Sequence, residues 1–323
     1  MPIPFAMNPM GLSKGPRWIL RDVPSLAVNL LKICYGKGLF VACGGTNNAY
    51  GIITSPDAIT WTPRLTNTAN SSMIGVDFAN NQFIAVGHAT ASPYFTSIQP
   101  YNIWTSTDGI TWNARQSSVS PTDYVGYLGG IAYGNNVYVA VGATSNNQGI
   151  AISTDAITWT RSESPNIGNP IYDIAYANNT FVIVSDYIET SPNGTTWTRR
   201  SSPLSPRVTY NRVRFLNNQF IALSREAGNV SNRIATSPDG ITWTGKNMVD
   251  SQYYYDISYG NGLYMLVGLT SVPTWSSPDL INWSRHSVTP TGTISNLTGI
   301  TYAQDKFVAV GSPSAGRVYT MDW

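Results

Sequence analysis

The sequence is poor in charged residues and in long apolar runs. Lys, Arg, Asp and Glu make up 11% of its 323 residues and leave a formal net charge of +2, whereas soluble domains usually have about 25% charged residues. Because neither sign dominates, a strongly basic nucleic-acid-binding protein and an acidic disordered tail are both excluded. No stretch approaches the roughly 18 to 20 apolar residues that span a bilayer, and Met1–Met7 lacks the features of a signal peptide. No membrane insertion is therefore expected.

Residues that carry catalytic or metal-binding chemistry are also scarce. The two histidines, His88 and His286, lie in different repeats without ligand spacing around either. No nucleophile elbow, P-loop or dinucleotide fingerprint occurs. Cys34 and Cys43 fall diagonally on neighbouring strands of one predicted hairpin, so no disulfide is expected. The sequence therefore predicts no metal, no cofactor and no enzymatic activity.

The chain consists instead of an internal repeat. One string, typified by Ser-Pro-Asp-Gly-Ile-Thr-Trp, occurs six times and ends at Trp61, Trp112, Trp159, Trp197, Trp243 and Trp283. A second string, an aromatic residue followed by turn residues and an apolar strand, begins at Tyr35, Phe78, Tyr133, Tyr176, Phe215, Tyr259 and Tyr302. Each unit contains four short strands, and its Asn-Asn or Asn-Gly pairs tolerate the positive φ of hairpin turns. Four-stranded repeats of this length predict the blades of a β-propeller.

The seventh unit lacks a fourth strand before the chain stops, while residues 17–22 resemble the strand that follows each repeated Trp. We therefore predict an all-β protein: a seven-bladed β-propeller of four-stranded antiparallel blades, closed by the N-terminal strand, which completes the last blade. The whole chain, 1–323, forms this single domain, with an N-terminal extension at 1–16, the closing strand at 17–22 and blades one to seven at 29–323. Trp18 is then the seventh copy of the repeated Trp.

The repeated Trp and Asp residues are predicted to be structural. A Trp ring can wedge between adjacent blades, and a carboxylate in a tight turn accepts hydrogen bonds from the backbone of that turn. This structural set comprises Trp18, Trp61, Trp112, Trp159, Trp197, Trp243, Trp283, Asp57, Asp108, Asp155, Asp239 and Asp279.

The first string resembles the Asp-box, or bacterial neuraminidase repeat, whose form is Ser/Thr-x-Asp-x-Gly-x-Thr-Trp. This chain is similar to the shortened Ser-x-Asp-Gly-x-Thr-Trp variant seen in phage tail and fibre proteins and in bacterial repeat proteins. The resemblance covers nearly the whole chain and implies a propeller fold. It implies little about function, because the box is structural throughout that family.

The sialidases of that family place an arginine triad, a Tyr/Glu pair and an acidic residue on their inner strands. Here only one blade contributes arginines to the predicted inner strands, and no Glu falls on them. The charged residues expected to line the central channel are Lys32, Asp77, Asp173, Arg212, Arg214 and Asp256. We expect these cations and carboxylates to neutralise one another, with an ion or small ligand in the channel as the alternative.

Long loops rich in Tyr, Asn and Ser are predicted on one face, where the second strand joins the third and each blade joins the next. Such composition is typical of recognition surfaces, and aromatic rings stack on sugars. The candidate ligand-binding residues are Tyr94, Tyr101, Tyr124, Tyr127, Tyr187, Tyr253, Tyr254 and Tyr255. The alternative is that several of these tyrosines belong to strands or to the core.

These observations favour a non-enzymatic binding or structural module. Together with the resemblance they suggest a phage virion protein of the tail, fibre or capsid surface, synthesised in the host cytoplasm. Its partner would be a host-surface glycan or another virion protein. Two alternatives stay open: a glycan-cleaving, sialidase-like propeller, which needs paired carboxylates on the loop face, and an assembly factor that binds a protein partner.

Overall fold

The computed structural model describes residues 17–24, 29–46, 49–67, 71–89, 103–115, 125–144, 149–162, 170–204, 208–224, 232–248, 253–269, 274–286, 296–312 and 316–322. These residues form 28 strands arranged as seven four-stranded antiparallel sheets. Within the described residues there is no helix, and so none long and apolar enough to cross a membrane.

Each sheet is one blade, and its strands follow one another from the inside outward. Blade one contains β2 (Asn29–Gly36), β3 (Leu39–Thr46), β4 (Ala49–Ser55) and β5 (Thr62–Asn67). Blade two contains β6 (Ser71–Ala79), β7 (Gln82–Ala89), β8 (Ile103–Ser106) and β9 (Asn113–Arg115). Blade three contains β10 (Val125–Gly134), β11 (Val137–Thr144), β12 (Gly149–Ser153) and β13 (Thr160–Ser162).

The remaining blades repeat this order. Blade four contains β14 (Asp173–Ala177), β15 (Thr180–Val184), β16 (Ile188–Ser191) and β17 (Thr198–Arg200). Blade five contains β18 (Tyr210–Leu216), β19 (Gln219–Ser224), β20 (Asn232–Ser237) and β21 (Thr244–Asn247). Blade six contains β22 (Tyr254–Gly260), β23 (Leu263–Gly268), β24 (Thr274–Ser277) and β25 (Ser284–His286). Blade seven contains β26 (Leu297–Ala303), β27 (Lys306–Gly311), β28 (Arg317–Asp322) and β1 (Arg17–Arg21).

The turn between the first and second strands of each blade lies at one end of the molecule, which we call the turn face. In blades one to six the turn between the third and fourth strands lies at the same end; the opposite end is the loop face. In blade three, the first turn places Asn135 at φ 47° and Asn136 at φ 62°. Positive φ at both central residues is the requirement of a type I′ hairpin, whose twist matches that of the strands it joins. Asn-Asn pairs therefore set the register of the inner hairpins in blades two to five, and Lys37-Gly38, Asn261-Gly262 and Gln304-Asp305 have the same positive φ in the other three blades.

The ring closes as predicted, without a covalent link between its ends. β1 pairs antiparallel with β28, with Trp18 opposite Met321 and Leu20 opposite Tyr319. The Trp18 indole is buried and donates a hydrogen bond from Nε1 to Thr274 Oγ1 in blade six, at 2.7 Å. The first strand of the chain thus completes the last blade and anchors it to its neighbour.

The hydrophobic core lies between the blades. Trp159 and Tyr138 of blade three pack with Ile84 and Val86 of blade two, and Trp18 packs with Val267 of blade six. Hydrogen bonds along the turn face join the same neighbours; for example, Asn135 Nδ2 donates to Pro192 O of the next blade at 2.7 Å. Because every blade is held by the two beside it, the strands that face the channel are fixed in position.

Candidate functional site

The innermost strands carry the charged residues of the channel at two matched levels. The level nearer the loop face consists of Lys32, Gly75, Gly130, Asp173, Arg212, Asp256 and Gly299. The level nearer the turn face consists of Cys34, Asp77, Ala132, Ala175, Arg214, Ser258 and Thr301. Each set pairs with corresponding positions of the second strands, so the repeat itself brings these residues together.

Asp173 joins two cations of different blades. Its Oδ1 lies 3.2 Å from Lys32 Nζ of blade one, and its Oδ2 lies 3.5 Å from Arg212 Nη1 of blade five. Oδ2 also accepts a hydrogen bond from Val213 N at 3.1 Å. Since blade one is three blades away from blade four in a ring of seven, the Lys32–Asp173 ion pair crosses the channel.

Asp256 is the second centre of the network and is fully buried. Arg214 donates to both of its carboxylate oxygens, from Nε to Oδ1 at 3.0 Å and from Nη2 to Oδ2 at 2.8 Å. Arg212 Nε lies 3.2 Å from Oδ1, and Ile300 N of blade seven donates to Oδ2 at 3.2 Å. Bidentate arginine pairing with additional backbone donors is the arrangement that compensates a buried carboxylate.

Burial and the neighbouring charges shift the pKa values of the network residues. Burial alone would raise the pKa of Asp256, but Arg212 and Arg214 together lower it to about 2. Burial would also raise the pKa of Asp173, but Lys32 and the two arginines hold it below its usual value. Burial, and then the charge of Arg212, lower the pKa of Lys32 to about 8. Both carboxylates are therefore ionised near neutral pH, whereas Lys32 loses its proton more easily than an ordinary lysine.

Asp77 stands apart from the network. It makes no ion pair with any described residue, and its hydrogen bond comes from the adjacent Phe78 N, at 2.8 Å to Oδ1. Burial raises its pKa, although Arg214 acts in the opposite direction. Five of the six expected channel residues thus form one ion-pair network, and the sixth lines the channel beside it.

Close packing of the blades explains a glycine at the level of the network. A Cβ added to Gly130 would lie 2.8 Å from Asp173 Oδ1. Any side chain at this position would therefore displace the carboxylate that binds Lys32 and Arg212.

No group of three or more His, Cys, Asp or Glu residues with the geometry of a metal site occurs in the part of the chain that the structure describes. Cys34 and Cys43 are buried free thiols.

The repeated Asp side chains are directed into their own turns. Asp108 Oδ1 accepts hydrogen bonds from Ile110 N and Thr111 N, both at 2.8 Å, and from Ser106 Oγ at 2.9 Å. The Thr111 and Ile110 amides are the main reason that the pKa of Asp108 falls to about 2. In blade four, Asn193 Oδ1 accepts the same two backbone bonds at 3.0 and 2.9 Å. A neutral acceptor therefore makes the same two backbone bonds, which marks the position as structural.

The predicted ligand-binding tyrosines are distributed unevenly over the described parts of the loop face. Tyr94, Tyr101 and Tyr124 lie outside the described residues, as does the side chain of Tyr127 in β10. Tyr253 and Tyr255 are half-buried, at the entrance to and within β22. The structure corrects the prediction that Tyr254 binds a ligand, because its side chain is only 3% exposed and packs with Ile257 and Met248 in the core. The register of β22 shifts between Tyr254 and Asp256, so the ring of Tyr254 lies in the core while its two neighbours stay half-buried.

Tyr187 lies in the three-residue connection between β15 and β16, on the loop face. The guanidinium carbon of Arg199 stands 3.5 Å above the centre of its ring, a cation–π contact. The sequence places Tyr187 among the predicted loop-face tyrosines, and nothing in the repeat shows that Arg199 touches it. The register supplies the reason: Glu189 is opposite Arg199, so residues 187 and 199 are diagonal neighbours on one side of the sheet.

The fold and this site define the chain as a seven-bladed β-propeller with a charged, ion-paired channel. No protein-family model matches the sequence, and no curated protein is similar to it at the level of sequence.

Solved structures do share the fold. YCF48 bound to D1 peptide is 18% identical, with 94% of each chain covered and a TM-score of 0.67, and YCF48 from Cyanidioschyzon merolae is 16% identical, with 94% of this chain and 98% of that chain covered and a TM-score of 0.64. A catalytically inactive histidine-to-alanine variant of virginiamycin B lyase from Staphylococcus aureus, with quinupristin, is 12% identical, with 95% of this chain and 100% of that chain covered and a TM-score of 0.73. The neighbours thus include a peptide-binding protein and an enzyme, and the likeness extends to the fold alone.

Proposed function

We propose that this protein is a non-enzymatic binding module whose partner docks on the loop face. The observation that supports it is that the charged side chains of the channel network are already paired with one another. Lys32, Arg212 and Arg214 are directed at Asp173 and Asp256, and both carboxylates accept backbone hydrogen bonds as well. Such a network holds five blades in register. Groups engaged in this way are poorly placed to act as a general acid, base or nucleophile.

The loop face is where a partner can be selected. The turn face is built from short turns that the repeat keeps nearly constant, whereas the connections on the loop face differ in length and sequence from blade to blade. Variable loops on a rigid frame are the usual location of binding residues. The tyrosines predicted on that face, including Tyr253, offer rings and hydroxyls that suit sugars.

In its specific form, the proposal is a phage virion protein of the tail, fibre or capsid surface that recognises a host-surface glycan. The shortened Asp-box-like repeat, the low charge and the neutral polar composition support it. A second candidate partner is another protein, such as a neighbouring virion component. It is favoured by one observation: a propeller of similar fold, YCF48, is bound to a peptide.

A glycan array probed with the purified full chain tests the proposal. We expect selective binding that Tyr253→Ala together with Tyr124→Ala abolishes, because both residues are predicted to face the ligand. Tyr133→Ala is the matched control, since Tyr133 lies near the first turn of its blade, on the opposite face. Both variants are checked for an unchanged circular dichroism spectrum before use.

Three outcomes separate the candidates. Binding that the control variant loses equally would contradict a loop-face site. No binding to any glycan, with capture of a defined protein or peptide instead, would move the assignment to the protein-docking alternative. Release of a shortened glycan would refute the non-enzymatic proposal and revive the glycan-cleaving one.

A further inference from the structure

The charged residues of the outermost strands of the propeller are all Lys or Arg. We define the rim as the seven fourth strands, β1, β5, β9, β13, β17, β21 and β25. These strands contain nine of the chain's 19 Lys and Arg residues and no Asp or Glu. The nine cations are Arg17, Arg21, Arg64, Arg115, Arg161, Arg199, Arg200, Lys246 and Arg285. Charged side chains, lysine above all, protect an edge strand from pairing with another chain, whereas eight of these nine cations are arginines.

Several rim arginines are held in a fixed orientation. Arg64 Nε donates to Thr54 Oγ1 at 2.8 Å, and Arg115 Nε donates to Thr105 Oγ1 at 2.7 Å. The same bond joins Arg200 to Thr190 at 2.8 Å. Each bond uses Nε, and no described residue hydrogen-bonds to the terminal nitrogens of these three guanidinium groups. A guanidinium fixed in this way is preorganised for bidentate binding of a carboxylate or sulfate.

The rim cations are separated from the carboxylates of the repeated turns. Asp57 and its equivalents lie at the turn face, where each fourth strand begins, and Arg64 and its equivalents stand three residues after the repeated Trp. Three strand residues span about 10 Å, which exceeds the Debye length of about 8 Å at physiological ionic strength. The cations therefore form a positive belt toward the loop face, which the turn carboxylates largely fail to neutralise.

Blade four combines two features that make its part of the belt strongly basic. Its fourth strand carries two arginines, Arg199 and Arg200, a number that β1 of blade seven also has, and its turn has the neutral Asn193 where five other blades have Asp. Arg199 is exposed and is supported by the ring of Tyr187 beneath it. Stacking on an aromatic ring keeps the in-plane N–H groups of a guanidinium free to bind an anion.

We propose that the rim binds an acidic polysaccharide, that is, a glycan chain bearing carboxylate or sulfate groups, with the Tyr187–Arg199 pair as its strongest contact. The belt faces outward in seven directions, so a rigid globular partner could cover only a few blades, whereas a flexible polymer can follow the curve. Nucleic acid is disfavoured because the net charge of the chain is only +2. The inference goes beyond the loop-face proposal and does not depend on it.

Heparin and polygalacturonate, immobilised beside neutral dextran, serve as probes for the full-length protein at low ionic strength. We expect binding to both polyanions, none to dextran, and a steep loss of affinity as salt is added. The test variant is Arg199→Gln with Arg285→Gln, two exposed rim residues. It should bind about tenfold more weakly, at roughly threefold for each exposed charge.

The matched control is Lys37→Gln with Lys306→Gln, which removes the same net charge from the turn face, where these side chains donate to Thr107 O and Asp57 O. Its affinity should stay within about twofold of wild type. Equal losses in the two variants, or no polyanion binding by the wild type, would overturn the proposal. Tighter binding to duplex DNA than to either polysaccharide would overturn the class of ligand. Because Tyr253→Ala with Tyr124→Ala leaves the rim intact, failure of the loop-face proposal would be recognised separately.

Discussion

The buried hydroxyl of Tyr138 tests whether the blades recognise one another through specific polar pairs. Tyr138 is 1% exposed, and its hydroxyl accepts hydrogen bonds from Asn80 Nδ2 at 2.8 Å and Gln82 Nε2 at 2.6 Å of the preceding blade. The same arrangement recurs where Tyr264 accepts from Asn217 and Gln219. The other five blades have Phe at this position, and the residue equivalent to Gln82 in the blade before each of them is not Gln.

The expected magnitude follows from the two bonds. Tyr138→Phe leaves the two amide donors without their acceptor, and each net bond is worth about 1 kcal/mol, so the free energy of unfolding should fall by about 1–2 kcal/mol. Gln82→Leu leaves the buried hydroxyl with one donor and should cost about 1 kcal/mol. The double variant recreates the Leu39–Phe83 pair found between blades one and two. It should therefore cost less than the sum of the single changes, with a coupling of about 1 kcal/mol.

Urea denaturation of the wild type, the two single variants and the double variant measures this coupling. Each change in stability appears as a shift of the unfolding midpoint at constant slope. Thr180→Leu is a suitable control, because Thr180 occupies the equivalent position before Phe220, where no hydroxyl needs a donor. Combined with Tyr138→Phe it should show additive effects, since the two sites are not in contact. Additive effects of Gln82→Leu and Tyr138→Phe would refute the reasoning, because the hydrogen bonds would then contribute nothing as a pair.

Three further outcomes are expected. Asp108→Asn should leave stability nearly unchanged, because Asn193 makes the same backbone bonds in blade four, whereas Asp108→Ala should cost about 1 kcal/mol in urea denaturation; equal losses would contradict this role for the turn acceptor. Asp256→Asn should cost about 3 kcal/mol, because it removes the carboxylate that the partly buried Arg214 binds through two bonds and leaves the buried Arg212 with Asp173 alone, while Asp305→Asn in an exposed turn should have little effect. The pKa of Lys32 is about 8 in the folded protein and 10.5 as the ordinary value, so the unfolded chain binds more protons between these values and the free energy of unfolding contributed by this residue should rise with pH across that window. Lys32→Met should remove that rise, and an unchanged pH profile would count against the shift.

The fold was predictable because the sequence repeats both its turns and its strands. Asn-Asn and Asn-Gly pairs fix the hairpins, and the repeated Trp marks each fourth strand. The closing role of β1 was predictable from the same register, since Trp18 precedes Arg21 by three residues just as Trp61 precedes Arg64. Both arginines donate from Nε to a threonine of the third strand, Arg21 to Thr320 and Arg64 to Thr54.

The residues that line the channel could be predicted from the sequence, but the ion pairs that they form could not. Aligning the inner strands places six charged residues around one axis, because equivalent positions of a ring must converge. Their partners depend on side-chain reach across the channel, and Lys32 extends from blade one to Asp173 of blade four. Burial of Glu189 and Arg233 on third strands was missed as well. No local pattern marks these positions, since the repeat has uncharged residues there in most blades.

Departures from the repeat are informative when the structure shows whether a neighbour compensates for them. Tyr138 replaces Phe where Gln82 supplies a donor, and Asn193 replaces Asp while keeping both backbone bonds. These changes preserve the frame and imply no ligand. The second arginine of β17 differs, because Arg199 is exposed and stacks on an aromatic ring, whereas Glu189, the residue opposite it, is buried. A cation that the frame does not require is better explained by an external anion, which is why the rim of blade four is the first place to look for one.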